Sequence, residues 1–221
     1  NIISNQMKNS IPKMKLKFLK FTKKFILFSE KPRTYHFLRK VTIPTFIEIY
    51  EGQENSEIST ITLEIFREIL KIEKEKKFFC QFDFTLYFDD DLLSLIVRGF
   101  DKKAFSEKRA VMNLLSELSA FQKIENFNLL KNKNKFIFEK LLNFAFNSND
   151  FSDAAACIVF LMNYAEMSLL FDISIECSPF IKNFFEFEVD KIIDSLIEQN
   201  DDMSVAEQAM KLKKIVSNFP C

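Results

Sequence analysis

The sequence VTIPTFIEIYEGQEN, residues 41–55, contains the helix signals from which the fold can be predicted. Pro44 suits the first turn of a helix, and the apolar residues that follow it recur three and four positions apart. Gly52 then precedes a polar run, at a place where a helix commonly ends in a left-handed residue. We therefore predict a short helix that Gly52 terminates, and we expect the same role for Gly99, which follows the next short apolar pattern.

A longer apolar pattern follows each of four short ones along the chain. In residues 57–76 the apolar positions from Ile58 to Ile72 fall on one helical stripe. Because the chain has only 2 glycines, it lacks the residues that tight hairpins and glycine loops need, and the predicted fold is all-α. The long patterns recur with a period of about 46 to 51 residues, which is typical of armadillo and HEAT repeats. They occupy residues 57–76, 106–121, 152–170 and 204–218.

This period predicts a right-handed α-solenoid of about four armadillo/HEAT-like repeats with the long helices on its concave side. Segments 76–88, 123–134 and 171–185 suit the brief first helix of a three-helix repeat. Residues 1–33 precede the repeats as a basic arm and capping helix, and residues 34–221 form the repeat domain. The repeats are expected at residues 34–75, 80–122, 128–171 and 175–219.

Composition argues against several kinds of site. The single histidine, His36, gives no basis for a histidine metal site or a catalytic triad, and there is no phosphate-loop or cofactor motif. The 4 cysteines form no C-x-x-C pair and are expected to be free thiols in a reducing compartment. The acidic runs at 89–91 and 200–202 suit helix starts and turns. We expect a protein without catalytic residues, cofactor, metal or membrane span.

The basic arm contains lysines that alternate with phenylalanines and other apolar residues. As a helix, its apolar side could cover the first repeat, which a terminal cap must do. Three other interpretations stay open: contact with a membrane surface or a nucleic acid, a mitochondrial targeting segment, and contact with the protein's own acidic groove. The lysines concerned are Lys15, Lys17, Lys20, Lys23 and Lys24.

Several motifs carry a resemblance to known families. IPTFIEIYEGQENSEISTITLEIFREI resembles an armadillo repeat, with Ile-Pro opening the second helix and a polar turn before the third. The segment LKFLKFTKKFILFSEKPRTYHFLRKVTIPTFIEIYE resembles the part of importin alpha that leads into its first repeat. SEKRAVMNLLSEL and VFLMNYA are similar to the third helix of such repeats. The resemblance implies an adaptor that binds an extended peptide in the cytoplasm, the nucleus or both, with an importin-beta-like carrier as a partner in nuclear import.

The sequence departs from importin alpha in the peptide groove, where that family uses a column of tryptophans and a column of asparagines. Only Asn163 matches, and the chain has no tryptophan. The positions that correspond to the tryptophans are Glu64, Asn113, Val159 and Met210. Those that correspond to the asparagines are Glu68, Glu117, Asn163 and Lys214.

The peptide-binding candidates are therefore polar and partly acidic. Glu64 and Glu68 lie one turn apart on a helix and, with Glu117, could attract a basic peptide. Asn113 lies in the same groove column as Glu64, and Asn163 could pair with a ligand backbone or with its own protein. The alternative function is a scaffold subunit that uses its solenoid surfaces to hold a larger assembly. Either way, a protein or peptide partner is expected and a nucleic acid is not.

Overall fold

The computed structural model describes residues 6–7, 10–40, 43–51, 54–74, 89–102, 104–147, 151–172, 178–199 and 203–219. These residues fold into twelve α-helices and one 3₁₀ turn, with no strand among them. The all-α prediction is confirmed for this part of the chain. Two compact units divide the chain, Asn1–Leu114 and Leu115–Cys221.

The first compact unit contains five whole helices and most of a sixth. The helices at the two long apolar patterns of this unit each follow a short helix, as the patterns predicted. The helices are α1 (Pro12–Phe28), α2 (Lys31–Lys40), α3 (Ile43–Glu51), α4 (Ser56–Lys74), α5 (Asp90–Val97) and α6 (Phe105–Ser119), with the 3₁₀ turn Arg98–Asp101 between the last two. Helix α6 continues into the second unit.

The second compact unit contains six further helices. The segment 123–134, expected to form a brief helix, does so, and the described part of 171–185 contains another short helix. Segment 76–88 lies outside the described residues. The helices are α7 (Ile124–Asn132), α8 (Asn134–Asn147), α9 (Phe151–Phe171), α10 (Pro179–Glu186), α11 (Val189–Gln199) and α12 (Met203–Val216).

Helix α4 organises the first unit. The Asn55 side chain accepts hydrogen bonds from the backbone N–H groups of Glu57 and Ile58, and it thereby satisfies donors that the first helical turn leaves open. The apolar stripe of α4 is buried from Ile58 to Ile69, as predicted, whereas Ile72 is half-buried, and α1 packs along the same helix. In α1, Leu19 and Ile26 are buried. One side of α1, which contains Leu19 and Ile26, is therefore buried within the first unit.

Helix α9 is central to the second unit, where it packs against α7, α8, α10 and α12. Its Tyr164 lies among the rings of Phe127, Phe138, Phe160 and Phe180, with ring centroids between 5.5 and 6.3 Å from its own. Among the described residues, its segment Ser152–Phe171 is long and apolar enough to cross a membrane, with a mean hydropathy of 1.7. Half of the apolar window is buried inside the protein, so the composition equally fits a core helix.

Gly99 corrects one prediction. It lies inside the 3₁₀ turn, and no described glycine has a positive φ, so Gly99 is not a left-handed helix cap. A Cβ atom at this position would lie 2.6 Å from Val111 Cγ2 and 3.2 Å from the Tyr50 hydroxyl. Gly99 is therefore needed because Val111 of α6 and Tyr50 of α3 come too close to this position for a side chain. Gly52 lies outside the described residues.

Candidate functional site

A pocket of about 250 Å³ lies between the long helices α4 and α6 of the first compact unit. Thr60 Oγ1 and Ser106 Oγ lie 3.4 Å apart and connect the two helices on this surface. Apart from Phe105 and Ala110, the lining is polar or charged. It comprises Thr60, Glu64 and Arg67 from α4 and Ser106, Arg109 and Asn113 from α6.

The charged residues that line this pocket are two arginines and one glutamate. Glu64 Oε2 accepts a hydrogen bond from Lys23 Nζ of α1 at 2.7 Å, and each side chain of this pair is about one third exposed. The guanidinium of Arg109 lies 4.8 Å from the centroid of the Phe105 ring, a cation–π contact that orients it. The lining therefore contains two guanidinium groups, those of Arg67 and Arg109, and one carboxylate, that of Glu64, which pairs with Lys23.

Two predicted ligand residues meet at this pocket. Glu64 and Asn113, which correspond to neighbouring members of the tryptophan column, both line it. Glu68 lies one turn further along α4, where its Oε1 pairs with Lys71 Nζ at 2.8 Å, and it is not among the lining residues. The sequence interpretation missed Arg67 and Arg109, although helical spacing places them on the same faces as Glu64 and Asn113.

The remaining two predicted ligand residues lie in the second compact unit. Asn163 Nδ2 donates a hydrogen bond to Ser119 Oγ at 3.3 Å, and that hydroxyl donates to the Ser116 carbonyl at 2.9 Å. The amide of Asn163 is thus held by its own protein, which was one of the two alternatives. Glu117 is half-buried on α6.

The basic arm reaches the acidic face of α4 with two of its lysines. Lys20 Nζ lies 2.7 Å from Glu57 Oε1, and Lys23 pairs with Glu64 as described. Lys15 is half-buried, and Lys17 and Lys24 are exposed. The arm therefore forms two ion pairs with α4, and one of them, that of Lys23, involves a residue of the pocket lining.

The acidic run at 89–91 lies at the N-terminus of α5, where Asp89 caps the helix. The Asp89 side chain accepts a hydrogen bond from the Leu92 N–H at 2.8 Å, and Asp90 and Asp91 lie in the first turn of α5. Within the described ranges, no group of three or more His, Cys, Asp or Glu side chains could hold a metal ion. The run at 200–202 lies outside them.

A buried polar cluster beneath α6 was not predicted. Glu107 is only 2% exposed, and burial raises the pKa of its carboxyl, opposed by the charge of Lys102 and a hydrogen bond from Ser59. Burial, together with the Glu107 charge, also raises the pKa of Tyr50. In the second unit, complete burial raises the pKa of the free Cys157 thiol well above its ordinary value, so this thiol is poorly reactive.

No protein-family model matches the chain, and comparisons with curated proteins and with solved structures found no match either. The function must therefore be argued from the residues themselves.

Proposed function

We propose that this chain is a non-enzymatic adaptor that binds an extended peptide on the long helices of an armadillo-like solenoid. The observation that carries the proposal is the α4–α6 pocket, in which Glu64 and Asn113 line one concave surface. Nuclear protein import is the setting that the resemblance to importin alpha suggests for such an adaptor.

The spacing of side-chain contacts supports a repeat architecture. In a solenoid each repeat touches only its neighbours, so contacts between distant residues should cluster near one repeat length. Thr60 and Ser106 are separated by 46 residues, and Ser119 and Asn163 by 44. The ion pair of Lys131 and Asp172 has a separation of 41. The first separation falls within the predicted period of about 46 to 51 residues, and the other two are shorter than it.

The charges of the pocket favour an acidic segment of the peptide. Glu64 and Glu68, which alone would attract a basic peptide, already pair with lysines. Arg67 and Arg109 also interact with other residues of the protein, but the lining still has two guanidinium groups for one carboxylate. A planar guanidinium group is suited to a carboxylate. Asn113 supplies both a donor and an acceptor, which is what a peptide backbone requires.

Binding of short labelled peptides to the whole chain, followed by fluorescence anisotropy, tests this proposal. We expect a peptide of alternating Ser and Glu to bind more tightly than its Ser–Lys and Ser–Gln counterparts, with an affinity that falls as salt rises. Arg109→Ala should weaken the Ser–Glu peptide by about tenfold or more, because a charge-assisted hydrogen bond is lost.

Matched controls distinguish an effect of the pocket residues on peptide affinity from an effect of the protein's overall charge. Arg98→Ala removes the same charge from an exposed position on the 3₁₀ turn and should leave the affinity nearly unchanged. Asn113→Ala should weaken binding several-fold, whereas Asn128→Ala, at an exposed position of α7, should not. Tightest binding of the Ser–Lys peptide, equal losses in Arg109→Ala and Arg98→Ala, or no binding of any peptide would contradict the proposal.

A scaffold function is the second candidate, favoured by large apolar side chains that the second unit exposes. Leu170 is 58% exposed, Phe185 51% and Met203 77%. A scaffold would use such positions in a flat interface rather than the pocket. Crosslinking of the co-purified assembly distinguishes the two, since an adaptor gives crosslinks at the long helices α4 and α6.

A further inference from the structure

Helix α1 presents a stripe of exposed apolar side chains on the side that does not pack on α4. Met14 is 50% exposed, Phe21 57% and Phe28 84%. These residues are seven positions apart, so at 3.6 residues per turn they project from one face. Apolar residues at this spacing normally face a core, whereas here they face solvent.

Lysines run beside this apolar stripe for its whole length. Lys17 and Lys24, three residues after Met14 and Phe21, form the next row around the helix, and both are exposed. Exposed Lys13 lies beyond them on the same side. Helix α1 contains no acidic residue, so nothing within it offsets this charge.

The apolar surface continues from α1 onto α2. The rings of Phe21 and Phe25 lie 6.5 and 4.8 Å, centroid to centroid, from the ring of Phe37. Phe25 and Phe37 line an open cavity of about 460 Å³, together with Arg33 and His36. The stripe is therefore the edge of a wider surface that is apolar at its centre and has lysines along α1. On α2, Arg33 Nε lies 3.6 Å from Glu30 Oε2 in an exposed ion pair.

We propose that this face of α1 and α2 docks on the surface of an anionic lipid bilayer. A basic amphipathic helix buries its apolar face at the headgroup boundary, while its lysines attract anionic headgroups. The seven-residue rows of apolar and basic side chains fit such a planar, negatively charged surface. Protein interfaces are depleted in lysine, and phosphate contacts with RNA would leave Met14 and Phe28 in water.

Vesicle co-sedimentation of the whole chain tests the proposal. We expect binding to phosphatidylcholine vesicles that contain phosphatidylserine, weak binding to phosphatidylcholine alone, and loss of binding as salt rises. The variant with Lys17→Ala and Lys24→Ala should bind roughly 25-fold more weakly, since each surface lysine contributes about fivefold. Its matched control, Lys182→Ala with Lys211→Ala, changes two exposed lysines of the second unit and should bind normally.

The apolar stripe is tested separately. Phe21→Ser with Phe28→Ser should weaken vesicle binding by roughly tenfold or more, because two apolar side chains no longer leave water. Leu170→Ser with Phe185→Ser removes exposed apolar side chains elsewhere and should have no such effect. All four positions are exposed, so the fold should survive, and circular dichroism checks this.

The absence of tryptophan from the chain permits a direct reporter. In Phe28→Trp, the single indole should shift its emission to shorter wavelength when phosphatidylserine vesicles are added. Met203→Trp, placed at a similarly exposed position of α12, should not shift.

Four results would overturn the proposal. One is equal binding of the wild type and the Phe21/Phe28 variant, and another is equal binding to the two kinds of vesicle. A third is tighter binding to single-stranded RNA, with the Phe21/Phe28 variant unaffected. The fourth is a wild-type dimer that this variant converts to a monomer, since the stripe would then be a contact between two copies of the chain.

Discussion

Substitution of Gly99 by alanine tests how closely side chains of α3 and α6 approach the 3₁₀ turn in the first unit. The added Cβ would lie 2.6 Å from Val111 Cγ2, far inside the 3.5–4.0 Å at which carbon atoms ordinarily meet. Val111 is fully buried, and its branched side chain has one strongly preferred rotamer in a helix, so it cannot turn away cheaply. The Tyr50 hydroxyl, 3.2 Å from the same atom, limits movement on the other side.

Two opposing effects determine how much stability Gly99→Ala should lose. Overpacking of a core costs about 1–3 kcal/mol, whereas alanine in a helical backbone is favoured over glycine by up to about 1 kcal/mol. The net decrease in the free energy of unfolding should be about 1–2 kcal/mol. For a chain of this length, that corresponds to a Tm lower by about 2–8 °C.

Urea unfolding followed by circular dichroism provides the measurement, with Arg98→Ala as the neighbouring control that should change little. In a Val111→Ala background, Gly99→Ala should cost much less, because the clashing methyl group is absent. Gly99→Asn separates packing from backbone conformation. Where a glycine is required for a positive φ, asparagine is a tolerated substitute. Where a glycine is required because there is no room for a side chain, asparagine is not tolerated. Equal or greater stability of Gly99→Asn relative to Gly99→Ala would refute the packing explanation.

Three further predictions concern single side chains. Burial raises the pKa of Glu107, so the folded state loses stability as the pH rises from the carboxyl's ordinary pKa through its raised one. In urea unfolding at a series of pH values, Glu107→Gln should reduce the pH dependence of the free energy of unfolding. If the variant shows the same pH dependence as the wild type, Glu107 is not the group responsible. Asn163→Ala should lower the free energy of unfolding by about 1 kcal/mol through loss of the hydrogen bond to Ser119, without changing peptide affinity; a binding titration checks the second part. Phe180→Ala, in the aromatic core, should cost about 3–5 kcal/mol, whereas half-exposed Phe185→Ala should cost about 0.5 kcal/mol or less; similar losses in thermal unfolding would contradict this assignment of the core.

Local patterns in the sequence predicted the helices, because an apolar stripe depends only on spacing within one element. The stripe of α4 from Ile58 to Ile69 is buried, as its period required. The acidic run at 89–91 caps a helix, as its position suggested. Glu64 and Asn113 were selected through the resemblance to importin alpha, and both line the α4–α6 pocket.

Contacts between elements could not be read from the sequence. Gly99 was expected to be a turn residue, but its role depends on Val111 and Tyr50, which reach it from two other helices. The pairing of Lys23 with Glu64 joins residues separated by 41 positions, and no local rule selects that partner. Because this ion pair changes the charge of the pocket, the kind of peptide that the pocket favours could be argued only from the folded chain.

The preference of the α4–α6 pocket for acidic peptides can be tested most directly by reversing its charge. Arg109→Glu replaces a cation on the pocket wall with a carboxylate beside Glu64, so fluorescence anisotropy should show a reversed preference, with the Ser–Lys peptide bound more tightly than the Ser–Glu peptide. The control Arg98→Glu should keep the original preference. If both variants change the two affinities by the same factor, or if Arg109→Glu still prefers the Ser–Glu peptide, the pocket is not where the peptide binds.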